Sequence, residues 1–140
     1  MAKQKPTIII DSREQKPYTF RGLETITSGM IVGDYTVLGK EQYIIERKAT
    51  PLEIHGNFTK GRERFYNELN RAIDSNIKML ILMEFSLADL HKKTRYARIN
   101  AQMLVNTLTS INLKYGFPYV FAGTRSQAQW FANKFLNYIF

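Results

Sequence analysis

Apolar residues recur along the chain with two periods, and the alternation between them sketches the fold. Residues 7–11 (TIIID) form a short apolar run ending in an acid and read as a buried strand. Pro17, in the following SREQKPYTF, marks a turn or a sheet edge. Residues 30–37 (MIVGDYTV) and 42–48 (QYIIERK) read as two strands around the loop LGKE. Pro51 opens a short helical or irregular piece, and Phe65, Leu69, Ala72 and Ile73 then recur at helical spacing within 62–76. Residues 78–85 (KMLILMEF) are a continuous apolar run of strand length, as expected of a central strand covered on both faces. Leu104, Leu108, Ile111 and Tyr115 share one face of a helix over 99–115. Residues 118–122 (PYVFA) read as a last strand, broken by Gly123. Ser126 is the expected cap of a final helix carrying Ala128, Phe131, Phe135 and Ile139. Strands first, then helix, strand, helix, strand and helix, predict an α/β fold with a mixed sheet flanked by helices.

Length and composition narrow the class. The 140 residues suit one domain, 1–140, with residues 1–5 and the charge-dense 91–98 (HKKTRYAR) as the expected disordered parts. A chain of this size buries roughly 68–70% of its unfolded surface, so a core needs no staples. With no Cys, a disulfide framework, a thiolate zinc site and a Cys nucleophile are all excluded. The apolar runs fall short of the ~20 residues of a membrane helix, and MAKQKPTIII lacks the apolar stretch of a secretion signal, so a cytoplasmic protein is expected. The net charge of +8 favours a polyanionic partner, most often nucleic acid.

Four charged residues sit where apolar strands should be: Asp11, Asp34, Glu46 and Lys48. A carboxylate in a buried strand is costly unless it is paired or holds a cation. Alternate strand residues share a face, so Glu46 and Lys48 point the same way, roughly 7 Å apart. A hairpin loop of odd length sets Asp34 opposite Glu46, with the chains about 4.8 Å apart, while an even loop puts the two acids on opposite faces. Two acids and a lysine on one face suit a hard divalent cation such as Mg²⁺ and attack on a phosphodiester. The same spacing also suits a salt-bridged hairpin in which Lys48 simply neutralises Glu46.

Gly33-Asp34-Tyr35 followed by Glu46-Arg47-Lys48 resembles the G-D-Y … E-R-K signature of the XPF-type nuclease family. Asp11-Ser12-Arg13-Glu14 looks like that family's D-x-R-E segment, 61–69 (GRERFYNEL) like its following helix, and 118–125 (PYVFAGTR) like a late strand and turn of its short members. The resemblance implies a restriction-endonuclease-like fold and Mg²⁺- or Mn²⁺-dependent cleavage of DNA at branched, flapped or junction structures. It implies Asp34 and Glu46 as metal ligands, with Asp11 and Glu14 as further acids. Lys48 becomes the catalytic lysine, while Arg13 and Arg47 bind phosphate or brace the acids. The family's Asp four residues after the lysine is Leu52 here, with Glu53 next to it. The tandem helix-hairpin-helix module of larger members has no room in these residues.

Lys60, Arg62 and Arg64, and further on Lys92, Lys93, Arg95 and Arg98, are the candidate DNA contacts, with Tyr96 able to stack on a base. The bland alternative for both groups is a solvated surface. Glu68 lies four residues after Arg64 and can either join the site or form a local ion pair, of which the ion pair is the expected use. His55 and His91 lack ligand spacing. Trp130, Phe131, Phe135 and Tyr138 suit either a homodimer face or a well-packed last helix. A helicase or a replication or repair protein is the expected further partner. The rival function is a non-catalytic DNA-binding or scaffold subunit.

Overall fold

The computed structural model describes residues 4–92 and 99–140. Lys93, Arg95, Tyr96 and Arg98 therefore lie outside the described residues. Six strands among those described form one sheet in the order β2-β1-β3-β4-β5-β6. They are β1 (Thr7–Asp11), β2 (Glu24–Ser28), β3 (Tyr35–Val37), β4 (Tyr43–Lys48), β5 (Lys78–Met83) and β6 (Tyr119–Phe121). The helices are α1 (Pro51–Phe58), α2 (Arg62–Asp74), α3 (Ala101–Tyr115) and α4 (Arg125–Ile139). Strand β3 runs antiparallel to β1 and β4, whereas β1 with β2, β4 with β5, and β5 with β6 pair in parallel. The predicted mixed α/β sheet is thus the observed one.

The period-two alternation separates two cores. Ile44, Met79, Ile81 and Met83 face α1, α2 and α3 with Phe65, Leu69, Leu104 and Leu108. Ile8, Ile10, Tyr35, Val37, Ile45, Leu80 and Leu82 face the other way and meet α4 through Ala128, Ala132 and Leu136. The first face is called the front below, and the second the back.

Several elements differ from expectation. Strand β2 has no counterpart in the sequence pattern, because all of its residues (ETITS) are exposed on a sheet edge and leave no buried period to read. The strand expected over 30–37 begins only at Tyr35, since Gly33 adopts φ +82 and bends the chain ahead of it. The strand expected over 78–85 ends at Met83. Ile73 is 42% exposed and off the helical core face. The last helix is capped by Thr124 rather than Ser126: the Thr124 side chain accepts from the Gln127 N–H, and the Gln127 side chain accepts in turn from the Thr124 N–H. Its fully buried stripe is Ala128, Ala132 and Leu136, with Phe131, Phe135 and Ile139 half-buried beside it.

The β3–β4 hairpin fixes the site. Its paired residues are Tyr35 with Ile45 and Thr36 with Ile44, joined by the five residues 38–42. That is the odd connection which sets Asp34 abreast of Glu46.

Candidate active site

The acids meet on the front face, at the ends of β1 and β4 and the start of β3. The Asp11 N–H donates to the Asp34 carbonyl at 2.9 Å, and the Asp34 N–H to the Ile45 carbonyl at 2.8 Å. Asp11, Asp34 and Glu46 therefore form a lateral row, with Lys48 two residues beyond Glu46 on the same face. Asp11, Glu46 and Lys48 are buried at 2%, 5% and 6% exposure. The Lys48 ammonium lies 4.9 Å from the centre of the Phe65 ring, which walls the site from α2.

Each acid has a different environment. Asp11 is locked: its Oδ2 accepts from Arg13 Nε at 2.9 Å and its Oδ1 from the Met30 N–H at 2.9 Å. Burial pushes this carboxyl up, but Arg13 and the N–H donors outweigh it and hold it below the usual carboxylate range. Asp34 accepts the Arg47 N–H at 2.7 Å. Burial is the main cause that raises Asp34 to about 6, opposed by Glu46, by the Arg47 N–H and by the Lys48 charge. Glu46 is raised well above its ordinary value, first by burial, then by the charge of Asp34 and by Glu68, with Lys48 opposing. Its Oε2 is buried, and among the described residues no hydrogen-bond donor reaches it.

Glu68, half-buried on α2, lies near enough to the cluster to raise Glu46, and among the described residues no ion pair joins it to Arg64. Glu14 and the Arg47 side chain go elsewhere. Strand alternation turns Arg47 to the back face. There its Nη1 donates to Glu14 Oε2 at 2.9 Å and its Nη2 lies 3.1 Å from Glu84 Oε1. The Glu14 carboxylate also accepts from the Tyr35 hydroxyl, and its charge bears on Asp34 from behind. Leu52 is 57% exposed on α1. Thr50 caps that helix by accepting the Glu53 N–H on its Oγ1, and the Glu53 carboxylate turns back to accept from the Ala49 N–H at 2.8 Å instead of joining the acids.

Sequence reasoning missed Glu84 and Tyr18. Glu84 carries the same signal as Asp11, an acid closing an apolar strand, but the pairing of β5 with β4 is needed to say which residue it meets. An open polar pocket of about 390 Å³ lies beside the row, lined by Arg13, Glu14, Lys16, Arg47, Ala49 and Glu53. Of the candidate DNA contacts, Lys60, Arg62 and Arg64 are exposed at the start of α2. Arg62 covers the Tyr66 ring at 4.7 Å and lines a polar groove of about 360 Å³ with Asn106 and Ser110 of α3. Lys92 pairs with Asp89 at 2.9 Å.

Among the described residues, no three His, Asp or Glu side chains stand as a ready ligand cage. The paired carboxylates of Asp34 and Glu46, with one Glu46 oxygen unpartnered, are nevertheless the donor set that Mg²⁺ takes: one or two carboxylates, the remaining positions filled by water and phosphate oxygen.

Comparison with known proteins bears on the fold and the family. The chain is similar to the solved structure of XPF from Aeropyrum pernix, with a TM-score of 0.73 and 18% sequence identity over 94% of this chain and 63% of that one. Against XPF from Aeropyrum pernix in a complex with DNA the TM-score is 0.72, again at 18% identity, over 96% of this chain and 64% of that one. The chain thus spans less than two thirds of the length of those structures. No curated protein matches it. The ERCC4 domain model matches residues 10–134, which include Asp11, Asp34, Glu46 and Lys48. At this identity the structural likeness establishes the restriction-endonuclease-like fold, and the model match establishes the lineage: the chain belongs to the ERCC4 domain family.

Proposed function

We propose that this chain is a divalent-metal-dependent DNA endonuclease acting at branched, flapped or junction DNA. The observation that carries the reading is the pairing of half-buried Asp34 with buried Glu46 beside Lys48, with a Glu46 oxygen that no donor among the described residues satisfies. Asp34 and Glu46 hold Mg²⁺ or Mn²⁺, and Asp11 joins them when Arg13 lets go of it. A divalent cation held there would supply Lewis-acid polarisation of a phosphoryl oxygen and a more acidic water. Lys48, desolvated against Phe65, places its ammonium where negative charge develops on the phosphate. Arg13, paired with Asp11 but 70% exposed, presents its outer face to a phosphate beside the row. The relative solved with DNA and the charge of +8 support nucleic acid as the substrate.

The test incubates the protein with labelled duplex, flap, fork and four-way-junction DNA in Mg²⁺, Mn²⁺ or EDTA. Cutting only with metal supports the reading, and the substrate ranking sets its preference. DNA binding without cutting under every condition replaces it with the scaffold reading.

Metal binding has a readout of its own. Saturating Mn²⁺ is expected to stabilise the wild type by about 2.7 kcal/mol at a concentration near 100 Kd. Glu46→Gln loses that shift, yet melts no lower than wild type without metal, because the change removes repulsion from Asp34. Differential scanning fluorimetry checks both signs.

Lys60, Arg62 and Arg64 extend the grip along the start of α2, and Lys92, Lys93, Arg95 and Arg98 are the further DNA contacts of this reading. Arg62→Ala is expected to weaken duplex binding and lower the salt slope by about 0.9, which anisotropy titrations at several ionic strengths will measure. The aromatic flank of α4 forms a homodimer face, with Trp130 63% exposed beside the edge strand β6 and Tyr138 90% exposed further along the helix. A helicase or a replication or repair protein presents the DNA. Work on intracellular DNA implies a cytoplasmic setting. No helix among the described residues is long and apolar enough to cross a membrane.

A further inference from the structure

The back of the sheet behind the acids carries an unusual amount of buried charge. Arg47 and Glu84 have side chains 8% and 10% exposed, and Glu14 is 14% exposed. The Arg47 guanidinium stacks on Tyr18 at 4.4 Å, donates to the Lys16 carbonyl at 2.8 Å and pairs with both acids. Tyr18 in turn donates from its hydroxyl to Glu84 Oε1 at 2.8 Å and stacks on Tyr35 at 5.3 Å. Arg125 approaches Glu84 to 3.9 Å. A buried ionic network is a poor way to stabilise a fold, because desolvating the charges offsets most of their attraction. Its location suggests a different use.

Glu84 grips β4 at two successive residues. Its N–H donates to the Lys48 carbonyl at 2.8 Å, and its carboxylate holds the Arg47 guanidinium. The Arg47 N–H is the donor to Asp34 Oδ2, at 2.7 Å. One glutamate thus fixes the last residues of β4, whose front-facing neighbours are Glu46 and Lys48. Slack in Arg47 moves Asp34, Glu46 and Lys48 together, since two flank it in the chain and the third hangs from its amide.

We propose that Glu84 is a positioning residue for the acid pair and Lys48, acting from the opposite face of the sheet through Arg47. It touches neither metal nor DNA. The proposal rests on the nuclease reading for its effect on rate, but its structural core does not.

The experiment compares wild type, Glu84→Gln and Tyr18→Phe with Ile111→Val, a mild core change in α3. Glu84→Gln keeps the shape and loses the charge that holds Arg47. Tyr18→Phe keeps that charge and loses the hydroxyl that orients it, which leaves the proposal testable if the first variant folds poorly. Three quantities are read: the amide proton shift of Arg47 without metal, the DNA Kd in EDTA, and the single-turnover cleavage rate. Glu84→Gln is expected to move the Arg47 amide upfield, leave Kd unchanged and slow cleavage roughly 10-fold, the scale seen when an outer-shell partner is lost. Tyr18→Phe moves both in the same direction by less. An unmoved amide, or a rate loss no larger than that of Ile111→Val, overturns the proposal. If the wild type cuts no DNA, the nuclease reading fails by itself, and the amide shift alone decides whether Glu84 positions Arg47.

Discussion

Lys48→Ala is expected to lower metal-dependent cleavage by roughly 10²–10⁴-fold, the range attributable to a single proton-transfer or charge-stabilising group. Asp34→Asn is expected to lose at least as much. The two differ in DNA binding without metal. Removing Lys48 takes away an attraction for phosphate, so affinity falls slightly. Neutralising Asp34 removes a repulsion, so affinity holds or rises. Rates under single turnover, with anisotropy in EDTA, separate these outcomes. A variant that still cuts near the wild-type rate would move the chemistry away from this face. The fold is expected to survive both changes. Loss of the Lys48 side chain leaves the apolar wall of Phe65, and an asparagine in place of Asp34 keeps a carbonyl oxygen to accept the Arg47 N–H.

Gly33→Ala is expected to be the most damaging small change, at about 2–4 kcal/mol of stability. Gly33 has φ +82, a conformation side chains rarely adopt. A methyl group there also meets Ile44 Cδ1 at 2.3 Å and the Ile45 carbonyl at 3.2 Å. The isoleucine tip can move, but the carbonyl cannot, because it accepts the Asp34 N–H. Relief by backbone movement therefore displaces the residue at the centre of the acid row. Against a total stability of about 5–15 kcal/mol the loss is large. Urea unfolding gives the change in midpoint, and cleavage is expected to fall further than stability predicts. This is the physical content of a glycine standing before the aspartate: the chain turns sharply against β4 just where the carboxylate must arrive.

How far the sequence discloses this site depends on whether a residue obeys a period. Glu46 and Lys48 share a face because strands alternate, and Asp34 joins them because the hairpin connection is odd; both follow from arithmetic on the chain. The D-x-R-E, G-D-Y and E-R-K runs lead to the family on the same residues that the fold assembles. Other features are illegible for identifiable reasons. Strand β2 buries nothing, so it leaves no pattern. Glu14 follows β1 through an irregular connection, and nothing periodic says that it rounds the sheet to meet Arg47. Glu68 has Arg64 at helical spacing, which invites an ion pair. Only the packing of α2 over the sheet turns its carboxyl to Glu46 instead. Glu84 meets Arg47 only because β5 lies parallel to β4 in the register Lys48 with Met83, a long-range pairing that local residues do not encode.

The lock of Arg13 on Asp11 bears on how the protein is made. A cluster of buried acids ordinarily forbids folding until a cation arrives, as in small domains that collapse only around their metal. Here the chain carries its own counter-charges. Arg13 neutralises one acid directly, Lys48 lies among the others, and Arg47 offers its amide to Asp34. The polypeptide is therefore expected to fold without free metal, and the proposed metal to load onto the folded chain as a late and reversible event. A chelator would switch such a protein off without destroying it, and restoring the ion would return it intact.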